Sequence, residues 1–194
     1  MAEQLLKGRY SKHYLRKSFA QWPGVLAQFN RIWQQTTKQL RKDDPVLVEI
    51  GTYRGISTSI MARYGVVHTY DIEIQPEARR VWRTEGVSDR VYQHKVIERA
   101  TQGVMPVQFD AAFIDGDHSY EGVASDFEAV SHQARVVVFD DVTVQFPGVV
   151  RFINELWRSN AGTLLHYGRF VVLWRDPDEQ RHQQAASDDE HDGE

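Results

Sequence analysis

Five short apolar runs, interleaved with stretches of helical period, constrain the fold of this chain more than any other feature. They are VLVEI (46–50), VVHTYD (66–71), VYQHKV (91–96), FDAAFID (109–115) and ARVVVFDD (134–141). Continuous apolar runs of this length suit strands covered on both faces, as in parallel sheets. Between them lie helical patterns over 55–64, over PEARRVWRTEG with Pro76 in the first turn and Gly86 at the end, and over SYEGVASDFEAVSHQ. Pro147 opens a further helix through Trp157, and 24–42 precedes the first strand with Val25, Leu26, Phe29, Ile32, Trp33 and Leu40 on one face. Asp43-Asp44-Pro45 ends that helix, because a residue before proline avoids helical geometry. GTLLHYGRFVVLWRD reads as two strands joined at Gly168. The pattern predicts an α/β fold: a doubly wound, mostly parallel sheet with a C-terminal antiparallel hairpin strand.

Three regions follow: an N-terminal helical segment (1–44), the α/β domain (45–175) and a disordered acidic tail (176–194). Residues 1–42 carry nine Lys/Arg against Glu3 alone, whereas 176–194 carry eight acids against Arg181. A solvated basic face and a solvated acidic tail account for both. No zinc-finger spacing and no RNA-recognition signature appears, so a nucleic-acid partner is not expected. No apolar stretch approaches the roughly 20 residues that cross a bilayer, which excludes a membrane-spanning helix. The chain has no cysteine, hence no disulfide, thiolate metal site or thiol nucleophile. Its absence fits a reducing compartment, and a cytoplasmic location is expected.

In a parallel sheet, ligands sit beyond the strand carboxyl ends, so the residues there carry the functional argument. After the first strand comes VEIGTYRGIST, with Glu49, Gly51, Gly55 and Ser57. Its glycines let the backbone approach a ligand. It is neither a P-loop, since no lysine follows the second glycine, nor the G-x-G-x-x-G of dinucleotide binders. An acid before the glycines repels a pyrophosphate and suits an ammonium or sulfonium cation. Asp71 ends the second strand, where an acid accepts hydrogen bonds from ribose hydroxyls. Such charged bonds contribute about 1.5–3 kcal/mol. Glu73 competes for this role but stands farther from the strand end.

Asp115 ends the fourth strand in IDGDHSY, and Asp140-Asp141 end the fifth. Neighbouring strands lie about 4.8 Å apart, so these carboxylates can converge. Together they repel and raise one another's pKa unless a cation intervenes. Oxygen ligands without cysteine point to Mg²⁺, Mn²⁺ or Ca²⁺ rather than zinc.

Taken together, these stretches resemble the class I S-adenosylmethionine-dependent methyltransferases, whose sheet is Rossmann-like. The metal-dependent O-methyltransferases of the catechol, caffeoyl-CoA and macrocin types are most similar, over about residues 45–175. IDGDHSYEG with the later DD…PGV is the most specific part. The resemblance implies that Glu49, Gly51, Gly55 and Ser57 hold the methionine portion of the cofactor, that Asp71 holds its ribose, and that Asp115 borders it. It assigns the metal, Mg²⁺ or another hard divalent cation, to Asp115, Asp140 and Asp141. Catechol-type members carry Asp-Asn at the last pair; Asp-Asp is nearer the sugar-modifying branch. The general base falls on His118, in the position of the catechol-type lysine, or on Asp117, in that of the sugar-type acid. The adenine-contacting position falls near Ile97 and Glu98.

The expected reaction is methyl transfer to a hydroxyl of a small molecule, with Phe146, His166 and Tyr167 as candidates to border the substrate. Trp33, Trp82 and Trp157 are expected in the core. Homo-oligomerisation is left open. A cofactor-binding protein without catalysis and an NAD-dependent oxidoreductase are the alternatives, and a hydroxylase branch resembling cephalosporin hydroxylase shares the acidic cluster.

Overall fold

The structure, a computed structural model, describes residues 24–73, 75–96, 105 and 108–175. The basic stretch at the start, the acidic tail and the positions near Ile97 and Glu98 lie outside the described residues. In chain order the elements are α1 (Val25–Leu40), β1 (Val46–Ile50), α2 (Ile56–Met61), β2 (Val66–Asp71), α3 (Pro76–Glu85) and β3 (Val91–Lys95). There follow β4 (Ala111–Ile114), α4 (Tyr120–Ser131), β5 (Val136–Phe139), α5 (Pro147–Arg158), β6 (Thr163–Tyr167) and β7 (Phe170–Trp174). Strand and helix positions agree with the apolar patterning to within a few residues, the usual fraying of element ends.

The seven strands form one sheet in the order β3-β2-β1-β4-β5-β7-β6. β3 through β5 run parallel, and the hairpin adds β7 antiparallel to β5. One face carries α1, α2 and α3 on Leu47, Val67, Phe113 and Val138; the other carries α4 and α5 on Val48, Ile50, Ile114 and Val137. Such double coverage is why β4 and β5 are buried at every residue. α1 belongs to this packing. Phe29 and Trp33 are fully buried, with the Phe29 ring 4.8 Å from Phe113 and 5.5 Å from Phe170. Burying one such side chain stabilises the fold by about 1.5–3 kcal/mol.

Trp33 and Trp82 are in the core as expected, but Trp157 is not: it is 72% exposed on α5. Val149, Phe152, Ile153 and Leu156 form the buried stripe of that helix. Trp157 follows Leu156 by one residue, and a helical step of about 100° turns it to solvent. Among the described residues no helix is long and apolar enough to cross a membrane.

The order of strands places the functional region. The chain moves outward from β1 to β2 and β3, then returns across β1 to β4. The carboxyl ends of β1 and β4, side by side, are therefore the switch point where a crevice opens.

Candidate functional site

The turn from β1 into α2 is built on two glycines with positive φ, Gly51 (98°) and Gly55 (71°). Gly51 N–H donates to Tyr70 O at 2.9 Å. A Cβ on Gly51 would stand 2.0 Å from Asp115 O, so β1 and β4 approach too closely there for any side chain. Gly55 meets a different constraint: the Trp82 indole Nε1–H donates to its carbonyl at 2.9 Å, and a Cβ would lie 2.5 Å from that nitrogen.

Glu49 is fully buried beneath this turn and faces α2 rather than the crevice. Thr58 Oγ1–H (2.5 Å) and Thr69 Oγ1–H (2.6 Å) donate to its Oε2, and Thr52 and Thr69 hydroxyls meet at 2.6 Å. Burial pushes its carboxyl up to about 7, against the opposing pull of the Ser57, Thr58 and Thr69 hydroxyls. Gly55 and Ser57 likewise do not line the crevice.

A cleft of about 530 Å³ crosses the carboxyl ends of β2, β1 and β4, within the range of small-molecule sites. Tyr70, Asp71 and Ile72 line it on the β2 side, Gly51 in the middle, and Asp115 and His118 on the β4 side. Asp71 is held by two main-chain donors: Tyr53 N–H on Oδ2 at 2.7 Å and Glu73 N–H on Oδ1 at 3.0 Å. Each oxygen keeps a further lone pair for an incoming hydroxyl. Glu73 is exposed and does not line the cleft.

Asp115 and Asp141 do meet, with His118 between them. Ile114 pairs with Phe139 across parallel strands, so the residues that follow them emerge together. His118 Nε2 lies 2.9 Å from Asp141 Oδ2 and 3.6 Å from Asp115 Oδ1. Asp115, His118 and Asp141 each place one ligand atom within 4.8 Å of the others, a spacing that suits one metal ion. Asp140 stands outside that group. Its Oδ1 accepts from Arg169 Nε at 2.5 Å and from Asp141 N–H at 2.6 Å, while its Oδ2 is buried without a hydrogen-bond partner among the described residues. Arg169 Nη2 also donates to Asp141 Oδ1.

Charges follow this geometry. The adjacent Asp115 and Asp141 carboxylates favour the His118 imidazolium, lifting its pKa to about 10 against burial. Burial raises Asp115, opposed by His118. Burial and then the Asp115 charge raise Asp140 well above the carboxylate range, with Arg169 opposing. The orphaned Asp140 oxygen, the oxygen-rich donor set and the close carboxylates fit a hard divalent cation.

Asp117 is exposed, and its Oδ1 accepts from Ser119 N–H at 2.9 Å; Ser119 in turn caps α4 by accepting from Gly122 N–H. Phe146 packs on His118 with ring centroids 4.4 Å apart. His166 and Tyr167 do not line the cleft. Two site residues escaped the sequence reading. Arg169 is one. Asp126 is the other, buried on α4 under Gly116, where a Cβ would meet its Oδ2 at 2.7 Å. A polar residue between Val123 and Val130 on an apolar helix stripe was the available signal.

Residues 48–142 match a family model described as a methyltransferase domain. By this match the stretch is similar to methyltransferase domains. Solved structures share its fold. Cofactor-bound Rv0187 from MTB is 24% identical, with TM-score 0.60 over 76% of this chain and 79% of that one. The O-methyltransferase from Bacillus cereus in complex with SAH is 20% identical, with TM-score 0.59 over 77% and 81%. TomG from Streptomyces achromogenes, an O-methyltransferase in complex with SAM, is 19% identical, with TM-score 0.60 over 77% and 80%. No curated protein matches the sequence. The matched residues include Glu49, Asp71, Asp115, Asp140 and Asp141.

Proposed function

We propose that this chain transfers a methyl group from S-adenosylmethionine to a hydroxyl oxygen of a small molecule, assisted by a divalent cation. The observation that carries the proposal is the cleft itself, which runs from the Asp71 carboxylate to the Asp115–His118–Asp141 cluster. Asp71 would accept from the ribose hydroxyls, its orientation fixed by the Tyr53 and Glu73 amides. Gly51 leaves the middle of the cleft open for the sulfonium portion. Asp115, Asp140 and Asp141 would hold Mg²⁺ or a similar ion, which when bound lowers the pKa of a coordinated hydroxyl and fixes its position. S-adenosylmethionine supplies an electrophilic methyl; the C–O bond forms as the C–S bond breaks, and the hydroxyl proton must leave to a base.

His118 and Asp117 are the candidates for that base. His118 holds its proton because Asp115 and Asp141 flank it. With those carboxylate oxygens engaged by a cation, His118 would be freed of both partners and could accept a proton near neutral pH. Asp117, beside the cleft and exposed, needs no such release. The Asp-Asp pair favours a sugar-type acceptor, and the solved fold relatives that are named O-methyltransferases support oxygen as the accepting atom.

The test uses methyl-labelled S-adenosylmethionine with a panel of catechols, sugar hydroxyls and amines, in EDTA and with Mg²⁺ restored. The expected result is label on a hydroxyl acceptor, lost in EDTA and recovered with Mg²⁺. Transfer that is indifferent to EDTA removes the cation from the mechanism, and label found only on amine acceptors overturns the hydroxyl reading.

A further inference from the structure

Arg169 lies in the β6–β7 turn, far along the chain from the acids it meets, and the methyltransferase reading gives it no role. Its guanidinium fork engages one oxygen from each of two adjacent carboxylates, Asp140 Oδ1 through Nε and Asp141 Oδ1 through Nη2. The other oxygen of each is left over: Asp140 Oδ2 buried and without a partner, Asp141 Oδ2 turned to His118. The arginine side chain is only 19% exposed. Its main chain is fixed as well, since Arg169 O accepts from Val142 N–H at 2.9 Å, directly after the acidic pair. Asp141 itself sits at φ 57°, an uncommon conformation for a residue with a side chain. A main-chain bond on one side and a guanidinium on the other hold it there.

We propose that Arg169 is a positioning residue for a divalent cation, tying Asp140 and Asp141 together through their Oδ1 atoms so that Asp141 Oδ2 stays turned to the Asp115–His118 cluster. The inference rests on the cation reading above and adds the element that makes the site rigid. Groups that orient metal ligands from behind change affinity about 10–100-fold when removed. A planar fork can bridge two carboxylates at fixed separation; a lysine ammonium, a point charge on a flexible stem, cannot. Geometry, not charge alone, is therefore what Arg169 contributes.

The experiment titrates Mn²⁺ into the full-length protein and into Arg169→Lys and Arg169→Leu, following free Mn²⁺ by electron paramagnetic resonance. S-adenosylhomocysteine binding and thermal unfolding, measured on the same samples, report the fold. The expected result is Mn²⁺ affinity weakened at least tenfold in both variants, with S-adenosylhomocysteine still bound. Lysine affinity equal to wild type would show that charge suffices and overturn the proposal. Tighter Mn²⁺ binding in the leucine variant would make Arg169 a competitor of the cation, which also overturns it. If the wild type itself leaves all Mn²⁺ free, the cation reading fails first and the positioning role fails with it.

Discussion

Replacing Glu49 with glutamine should make the protein more stable above neutral pH and leave it nearly unchanged in acid. Glu49 is fully buried, and its carboxyl titrates at about 7 in the fold instead of 4.5. The folded state therefore keeps a proton that the unfolded chain releases between those values. A raised acid pKa contributes stability that is fully present below pH 4.5 and is lost as pH climbs through 7. At about 1.4 kcal/mol per pKa unit, the loss amounts to about 3 kcal/mol. Glutamine keeps an oxygen to accept the Thr58 and Thr69 hydroxyls and has no proton to lose. Urea unfolding of both proteins without cofactor, from pH 5 to 8, isolates the effect. Asp140 is also raised, and its contribution cancels in the difference; Asp115, whose charge adds to the rise at Glu49, is relieved in part by glutamine and works in the same direction. The difference should grow from about 1 kcal/mol at pH 5 to about 3 kcal/mol in favour of glutamine at pH 8. A difference that stays constant across this range would show that Glu49 carries no raised pKa and refute the reasoning.

The two glycines of the β1–α2 turn should respond unequally to alanine. Gly51→Ala must move the Asp115 backbone as well as adopt positive φ, and should cost about 3 kcal/mol or more in urea unfolding. Gly55→Ala meets the Trp82 side chain, which has more freedom to shift, so its cost should be smaller and should appear with a change in tryptophan fluorescence.

Why the sheet was legible and parts of the site were not follows from particular residues. VLVEI, FDAAFID and ARVVVFDD are doubly covered strands whose uninterrupted apolar character survives in sequence, so β1, β4 and β5 could be placed from pattern alone. The convergence of Asp115 with Asp141 follows from β4 and β5 being parallel neighbours, which the alternation of strand and helix implied. Arg169 was invisible because its partners depend on which strand the hairpin joins. Once β7 lies antiparallel to β5 with Phe139 opposite Val171, the same register brings Arg169 opposite Asp141. Glu49 read as a ligand-facing acid because only tertiary structure supplies its partners: Thr69 lies directly across β2, and Thr58 stands on α2. Trp157 differs because it stands one helical step from Leu156, off the buried stripe of Val149, Phe152, Ile153 and Leu156.

Calorimetric binding of S-adenosylhomocysteine to the wild type, Asp71→Ala and Asp140→Asn tests the division of the cleft most directly. Two charged hydrogen bonds to ribose hydroxyls contribute about 1.5–3 kcal/mol each, so Asp71→Ala should weaken binding at least tenfold, while Asp140→Asn should bind close to the wild type. Undiminished affinity in Asp71→Ala, or an equal loss in both variants, would contradict a nucleoside end at β2 and a chemical end at β4 and β5.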